Sequence, residues 1–560
     1  MEPAKPWLAA YDPGVPAEIA IPPLALPDVL RETASRLPDA TALLFYGREI
    51  SYRELDEAVE RFAVGLVRQG VGPGERVVLM LPNTPQSVIG FYGVLRAGAL
   101  VVVSNPLFTS EELVHQINDS QAGTLIGLSL FAPSIFAARA ASGLRRVILT
   151  NFKEYLPPLR RRLFTWARQE REGHLVPPEQ ARTVTWWSHL MEESGDSGGA
   201  AALPQLDPAG RAAILYTGGT TGEPKGTILS HRALVANALQ VRAWLPRPRP
   251  AQERILAALP FSHAYGLTSC MNLAVADGAA LVLLPSLDTR ELIEAVREYQ
   301  PTIFPGIPAL YAELTELARG NDSALRSLRD CVSGAAPLPI EVQEGFERVT
   351  RAKLVEGYGL TEAGPVTHAC PFGSAHRSGT IGVPFPSTEA KIVDLETGAD
   401  LPPGSEGELL VRGPQLMEGY WNRPEETAAA LTADGWLHTG DIAQMDEHGF
   451  FQVIARRKEL IMAGPYNVYP RDVEEVLYEH PQVLDAAVAG TPGPDGLEEI
   501  TAFVVLRPGS SASESELIAF CRKRLSTYKL PQRVIFRTAL PRSFIGKILR
   551  RKLIDEFLRP

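Results

Sequence analysis

The run Tyr216-Thr217-Gly218-Gly219-Thr220-Thr221-Gly222-Glu223-Pro224-Lys225-Gly226 constrains this chain more than any other. It holds four glycines, three threonines and one lysine in eleven residues, directly after the apolar stretch Ala212 to Leu215. Glycine lets backbone N–H groups approach an anion closely, threonine adds short hydroxyl donors, and lysine adds a mobile positive charge. The pattern predicts a strand running into a loop that wraps phosphate oxygens. It is not a Walker A sequence, because Gly226 follows the lysine where Ser or Thr would be needed. A P-loop kinase or ATPase is therefore disfavoured, and a solvated surface loop has no need of such a composition.

A chain of 560 residues is too long for one core, so two or more domains are expected. The hydrophobic fraction of 45% and charged fraction of 21% are those of a soluble globular protein. A net charge of −10 argues against nucleic acid as a partner, so any polyanionic substrate must meet local positive charge. Only ten of the 55 basic residues are lysines, which makes Lys225 and Lys547 stand out, each inside a glycine-containing motif. Cys270, Cys331, Cys370 and Cys521 have neither metal spacing nor the density of a disulfide framework, which points to a reducing cytoplasm. Met1 to Ala10 lacks the layout of a signal peptide. The apolar stretch Gly266 to Leu284 is broken by Ser269, Asn272 and Asp277 and reads as buried core, not as a membrane span.

Along the chain, strand and helix signals alternate. Ser51-Tyr52-Arg53-Glu54 is a capping-box match opening a helix through Ala58, Phe62 and Leu66 that stops at Gly70. Arg76 to Leu81 reads as a buried strand, Thr84-Pro85 opens a helix ended by Gly98, and Leu100 to Val103 is strand-like again. Such alternation implies an α/β fold with parallel-rich sheets covered by helices. The segment from Thr150 to Ala201 departs from it. Lys153, Arg160, Arg161, Arg162, Arg168 and Arg171 interleave with Leu159, Leu163, Phe164, Trp166 and Trp187. Two readings stand: a solvated insertion packed on its own domain, or an amphipathic basic helix within 153–171 that lies peripherally on an anionic membrane surface through Phe164 and Trp166. Beyond about residue 440 the chain is charged and turn-rich. Strand-like runs (Ala486 to Ala489, Ala502 to Leu506) and helix-like runs (Arg471 to Glu479, Glu514 to Leu525) suffice for a small separate α+β domain.

Further motifs join the opening loop. Ile303 to Pro308 and Cys331 to Pro337 are apolar runs ending in Gly and Pro, the kind of strand end at which open α/β sheets bind ligands. Gly357-Tyr358-Gly359-Leu360-Thr361-Glu362 offers an aromatic face for a base and a carboxylate for Mg²⁺ beside phosphates. Thr439-Gly440-Asp441 puts an acceptor-only carboxylate after a turn, as a ribose diol requires. Arg456 is a fixed fork for an oxygen, and Gly546-Lys547 places a lysine on a turn near the C-terminus. The last four are weak alone; with the opening loop, all five in this order are not a chance assembly.

That order resembles the adenylate-forming superfamily of acyl-CoA synthetases, luciferases and adenylation domains, from about Leu24 to Leu553. Ser104-Asn105-Pro106-Leu107-Phe108-Thr109, the following Glu112 to Ser120 and Tyr155-Leu156-Pro157 are similar to bacterial long-chain fatty acid–CoA ligases. The resemblance implies a large domain over 1–457, with a small β-barrel-like subdomain, and a mobile C-terminal lid over 458–560. It implies ATP, Mg²⁺ and CoA as cofactors and a fatty acid as substrate: the acid attacks the α-phosphate to give acyl-AMP, and the CoA thiol then displaces AMP. Thr217, Gly218, Gly219, Thr220, Thr221, Gly222 and Lys225 would hold the phosphates, and Glu362 the Mg²⁺. Gly334, Ala335, Glu356, Gly357, Tyr358, Gly359 and Thr361 would line the nucleotide, with Asp441 and Arg456 on the ribose. His263 would stand near the carboxylate, Lys547 would bridge carboxylate and α-phosphate, and Lys458 would be the hinge. Alternatives from the same resemblance are a fatty acyl-AMP ligase feeding a carrier protein and a medium-chain or aryl acid–CoA ligase. The former carries an insertion near the domain junction, and no extra stretch stands between Ile381 and Lys458. The oligomeric state stays open, a homodimer included.

The chain departs from the family in two places. Gly464 and Pro465 stand where Ser-Gly is common in the face expected to line the pantetheine channel, and Ala455 stands where an Asp is common. Proline fixes φ and removes an N–H, so the change bears on the CoA step and not on adenylation.

Overall fold

The computed structural model describes residues 5–167, 169–193, 203–217, 224–246, 249, 251–318, 325–373, 375–463, 466–493, 498–543, 546 and 548–558. The helix boundaries follow local chemistry. Ser51 caps Tyr52–Arg68 in a reciprocal capping box with Glu54. Thr84 caps Pro85–Arg96 in the same way with Ser87 as its partner, and proline sits in the first turn where no N–H is needed. All twelve residues of that helix are buried, because it lies between the two large sheets. Asn83, just before it, donates from Nδ2 to the carbonyls of Ala257 and Leu259 at 2.9 and 2.8 Å, tying the sheets together.

The first large sheet has nine strands. Its centre is parallel: Lys353–Gly359, Asp330–Ser333, Ile303–Gly306, Arg254–Ala257, Ala280–Leu283 and Thr41–Phe45 lie side by side in that order. The second has eight strands, with Arg211–Thr217, Leu100–Val103, Arg76–Met80, Thr124–Leu128, Arg146–Thr150 and Thr185–Trp186 parallel. Strand Lys225–Ser230 returns antiparallel against Arg211–Thr217. One apolar core runs through both sheets and the helices between them. The apolar stretch over 266–284 is part of it: a short helical turn, a π-helical segment Leu267–Asn272 and the helix Leu273–Asp277 are buried throughout. Among the described residues no helix is long and apolar enough to cross a membrane.

The part expected to be barrel-like is a four-stranded antiparallel sheet, with Glu389–Val393 and Phe451–Arg456 at its edges around Glu406–Arg412 and Leu437–Met445. After Glu459 a small C-terminal domain follows. A two-stranded hairpin (Ile461–Ala463, Tyr466–Val468) and a three-stranded sheet (Val483–Pro492, Glu498–Leu506, Arg533–Phe536) pack with helices Pro470–Tyr478, Glu514–Arg522 and Arg550–Leu558 around separate apolar clusters.

In the insertion after Thr150 the aromatics divide. Trp187 is buried and stacks on Phe62 at 4.0 Å between ring centroids. Phe164 is buried against Phe152 and His174. Phe164 therefore leaves the membrane-facing side on which the pattern of alternating charge and aromatics put it. Trp166, Leu159 and Leu163 stay out, at 87%, 72% and 54% exposure.

Candidate active site

The strand order places the motifs together. Ile303–Gly306, Asp330–Ser333 and Lys353–Gly359 are adjacent parallel strands, so Gly306, Gly334 and Gly359 mark one edge of the sheet. Gly334 N–H donates to Gly306 O at 3.1 Å. A Cβ at Gly334 would lie 2.9 Å from the Tyr265 ring, so only glycine lets that ring pack against the strand end. Tyr265 is held there by its hydroxyl, which donates to Val332 O at 2.8 Å. His263 lies two residues earlier, half-buried, and its Nδ1 accepts from the Tyr265 N–H at 3.2 Å. Ala335 then turns the chain with φ of +69°, a conformation an alanine rarely adopts.

Tyr358 donates from its hydroxyl to Asp441 Oδ2, and Asp441 Oδ1 lies 2.7 Å from Arg456 Nε. Asp441 is almost fully buried, and register-paired strands set Asp441 opposite Arg456. The two strand ends, the aromatic and the guanidinium thus form one connected group. Burial, and then the Asp441 charge, push the Tyr358 phenol well above its ordinary range, so it stays a donor. Glu356, half-buried at the same strand end, has its carboxyl pushed up to about 8 by burial, against the pull of the Leu338 backbone N–H and the Arg471 charge. Arg471 belongs to the small domain and also donates to Val453 O at 3.1 Å.

Thr217 ends its strand opposite Lys225, with its hydroxyl 3.5 Å from Lys225 O. Gly218, Gly219, Thr220, Thr221 and Gly222, expected to hold phosphate, lie outside the described residues, as do Pro465 and Lys547. Lys225 Nζ stands 4.8 Å from the Tyr420 ring centroid, and the Tyr420 hydroxyl donates to Glu362 Oε1 at 2.8 Å. Tyr420 therefore joins a cation and a carboxylate that the sequence pattern left 137 residues apart (362 − 225). Thr361 and Glu362 sit on a single turn, Thr361–Ala363. Among the described residues no three His, Cys, Asp or Glu side chains gather into a metal cluster. A lone carboxylate beside a phosphate loop still suits Mg²⁺, which takes one or two protein carboxylates and completes its shell with phosphates and water.

The charged turn Arg456-Arg457-Lys458-Glu459 follows. Arg457 Nη1 lies 2.8 Å from Glu408 Oε2, a buried carboxylate of the antiparallel sheet. Beyond it, the C-terminal glycine turn folds back over the first sheet: a Cβ at Gly546 would lie 3.8 Å from Ile307 Cδ1. Ile307 follows the strand end Gly306, so residue 546 stands beside that strand end.

Comparison with known proteins agrees with this arrangement. Residues 30–421 match the model of the AMP-binding enzyme family, and residues 472–547 match the AMP-binding enzyme C-terminal domain. The chain belongs to the AMP-binding enzyme family. A protein named long-chain-fatty-acid–CoA ligase from Bacillus subtilis (strain 168) is 43% identical over 557 residues, 99% of each chain. One of the same name from Escherichia coli O6:H1 is 37% identical over 562 residues, 99% of this chain and 98% of the other. Among solved structures, ATP-bound MatB from Rhodopseudomonas palustris superposes with a TM-score of 0.81 at 27% identity, over 95% of this AMP-binding enzyme and 99% of that chain. A Mycobacterium tuberculosis fatty acyl CoA synthetase gives 0.73 at 26% identity, over 95% and 98%.

Tyr420, Tyr265 and Ile307 escaped sequence reasoning. Ile307 lies in a run that reads as a ligand-binding strand end, but nothing in that run singles it out. The two tyrosines carried no local signal, since their significance lies in partners 58 and 67 residues away.

Proposed function

We infer that this enzyme activates a long-chain fatty acid with ATP, forming acyl-AMP and pyrophosphate, and transfers the acyl group to CoA. In the first step a carboxylate oxygen bonds to the α-phosphorus while the bond to the β-phosphate oxygen breaks. In the second the CoA sulfur bonds to the acyl carbon and AMP leaves, keeping the oxygen that came from the acid. The observation that supports this reading is the approach of Gly546, the residue before Lys547 in the sequence, to Ile307 at the strand ends.

The chain's own residues then take these roles. Lys547 brings positive charge between two anions that must meet, a carboxylate and the α-phosphate. Thr217, the loop from Gly218 to Gly222, and Lys225 receive the departing pyrophosphate. Tyr358 and Gly334 to Ala335 flank the adenine, Asp441 and Arg456 fix the ribose, and Glu356 closes the strand end. His263 and Tyr265 stand where the carboxylate enters. Glu362, steadied by Tyr420, would hold Mg²⁺, which when bound supplies charge neutralisation at the β- and γ-phosphates. We take Lys458 as the hinge between 1–457 and 458–560: Arg456 and Arg457 are held by the buried carboxylates Asp441 and Glu408 of the large domain, and 458–560 turns as a lid between the two steps.

The acid also decides where the enzyme works. Leu159, Leu163 and Trp166 are four and three residues apart on the helix Pro158–Ala167 and form one exposed apolar stripe. Arg160, Arg161 and Arg162 surround it, all exposed. A groove of about 840 Å³ beside it has Arg48, Arg161, Arg162, Glu154, Tyr155 and Trp166 among its lining residues, three cations to one carboxylate. We propose this face, with Trp166 and not Phe164 as its aromatic anchor, as the contact of a cytoplasmic enzyme with an anionic membrane surface.

The test is a panel of acids of varied chain length assayed for AMP and thioester together, with and without CoA. Thioester and AMP in equal amounts, greatest for long chains, support the reading. Stable acyl-AMP that CoA does not discharge would favour an acyl-AMP ligase and assign Pro465 the cause.

A further inference from the structure

Arg550 uses its guanidinium on three partners inside the small domain. Nη1 lies 2.5 Å from Glu459 Oε2, Nη2 lies 2.8 and 3.0 Å from the two oxygens of Glu474, and Nε donates to Val488 O at 3.2 Å. The three charged side chains are 18%, 13% and 11% exposed, so the cluster is largely shielded from water. Such a group is rigid, because loss of any member leaves a buried charge behind.

The position of these residues gives the cluster a consequence. Glu459 follows Lys458 directly, and Arg550 stands three residues after Lys547. In the turn 456–459, Arg456 and Arg457 are held by Asp441 and Glu408 of the large domain, and Glu459 is held by Arg550 of the small one. Lys458 lies between the two sets of anchors. At the other end, Arg542 holds Gly546, the residue before Lys547 in the sequence: its Nη1 donates to Gly546 O at 2.8 Å and its Nη2 lies 2.7 Å from Asp485. Helix Arg550–Leu558 is fixed below by the fully buried Leu553.

We infer that Arg550 is a positioning residue for the adenylation step: it pins the hinge-side residue Glu459 to the base of the lysine turn, so that a rotation at Lys458 sets the place of Lys547 without slack. The inference rests on the reading of Lys547 given above. Arg550 touches no reacting atom. With the lid turned at Lys458 between the two steps, as proposed above, its effect is confined to the half-reaction that uses Lys547.

The experiment measures the two half-reactions separately: pyrophosphate release from ATP and palmitate, and thioester formation from CoA and supplied palmitoyl-AMP. Arg550→Met lowers the first on the order of 10- to 100-fold, the size of effect that misplacing a reacting group by about 1 Å produces. The second stays within about threefold of the parent, since it does not draw on Lys547. Glu459→Gln leaves the Arg550–Glu474 pair intact, keeps the small domain folded if Arg550→Met does not, and shows the same selective loss. Combining the two adds little to either, as members of one unit behave. Arg550→Lys recovers part of the first step. Equal loss in both half-reactions makes Arg550 a structural residue and overturns the inference, as does no loss in either. Lys547→Ala separates the two claims: if it leaves pyrophosphate release intact, the reading of Lys547 falls, whereas if it abolishes release while Arg550→Met and Glu459→Gln do not, only the pin falls.

Discussion

Replacing Asp441 by Asn tests the ribose site with little change of shape. Asp441 Oδ1 is 2.7 Å from Arg456 Nε, and Oδ2 accepts from Tyr358. A carboxylate can accept about four hydrogen bonds in all, whereas an amide has one acceptor end and presents donors at the other. Hydrogen bonds to a charged acceptor contribute about 1.5–3 kcal/mol and those between neutral groups about 0.5–1.5. For two ribose hydroxyls the difference sums to about 2–3 kcal/mol, or roughly 30- to 150-fold in nucleotide affinity. Loss of the ion pair also weakens the fold, by about 1–2 kcal/mol, because Arg456 is 38% exposed and solvent screens the pair below the cost of a fully buried one. Pyrophosphate release at saturating acid, measured against ATP concentration, should show KM for ATP raised by that factor and kcat within about threefold of the parent, the signature of lost uniform binding. The parent should also discriminate against 2′-deoxy-ATP, and Asp441→Asn should not. An unchanged KM, or a penalty for 2′-deoxy-ATP undiminished in the variant, would refute the assignment.

Glu356 makes stability depend on pH. Its carboxyl titrates near 8 in the fold and near 4.5 when unfolded, so the folded state holds the proton across that window. The stabilisation is complete below about pH 4.5 and is lost as pH rises through about 8. Full expression of the shift would be about 5 kcal/mol, which partial solvent exposure reduces to roughly 2. The melting temperature of the parent should fall relative to Glu356→Gln between pH 5 and pH 8; parallel curves would contradict the burial argument. For the membrane face, Arg160, Arg161 and Arg162 changed together to Glu should weaken partitioning onto anionic vesicles by at least a hundredfold, at about 1 kcal/mol per basic residue. Binding to zwitterionic vesicles should change little, and unchanged binding to anionic ones would remove the proposal.

Much of the fold was legible because its signals are local. The capping residues Ser51 and Thr84 and the β-branched runs at Arg76 and Leu100 fix element ends through neighbours three or four residues away. The site was legible as an order of motifs, and the strand topology explains why: motifs distant in sequence close parallel strands that lie side by side. What stayed hidden depends on pairings across the chain. Tyr420 reaches Glu362 over 58 residues, and Tyr358 reaches Asp441 over 83, with no local pattern to announce either. Phe164 and Trp187 show the same limit from the other side. The pattern marks Phe164 as able to face a membrane and leaves Trp187 unplaced, and only Phe152, His174 and Phe62 decide that both turn inward.

The central claim is that an acid oxygen attacks the α-phosphorus before CoA does its work. Palmitate labelled with ¹⁸O in both carboxylate positions, turned over with ATP and CoA, tests it by mass spectrometry of the nucleotide product. AMP carrying one ¹⁸O for every thioester formed is the predicted result. Unlabelled AMP, or ADP with label in the released phosphate, would contradict it.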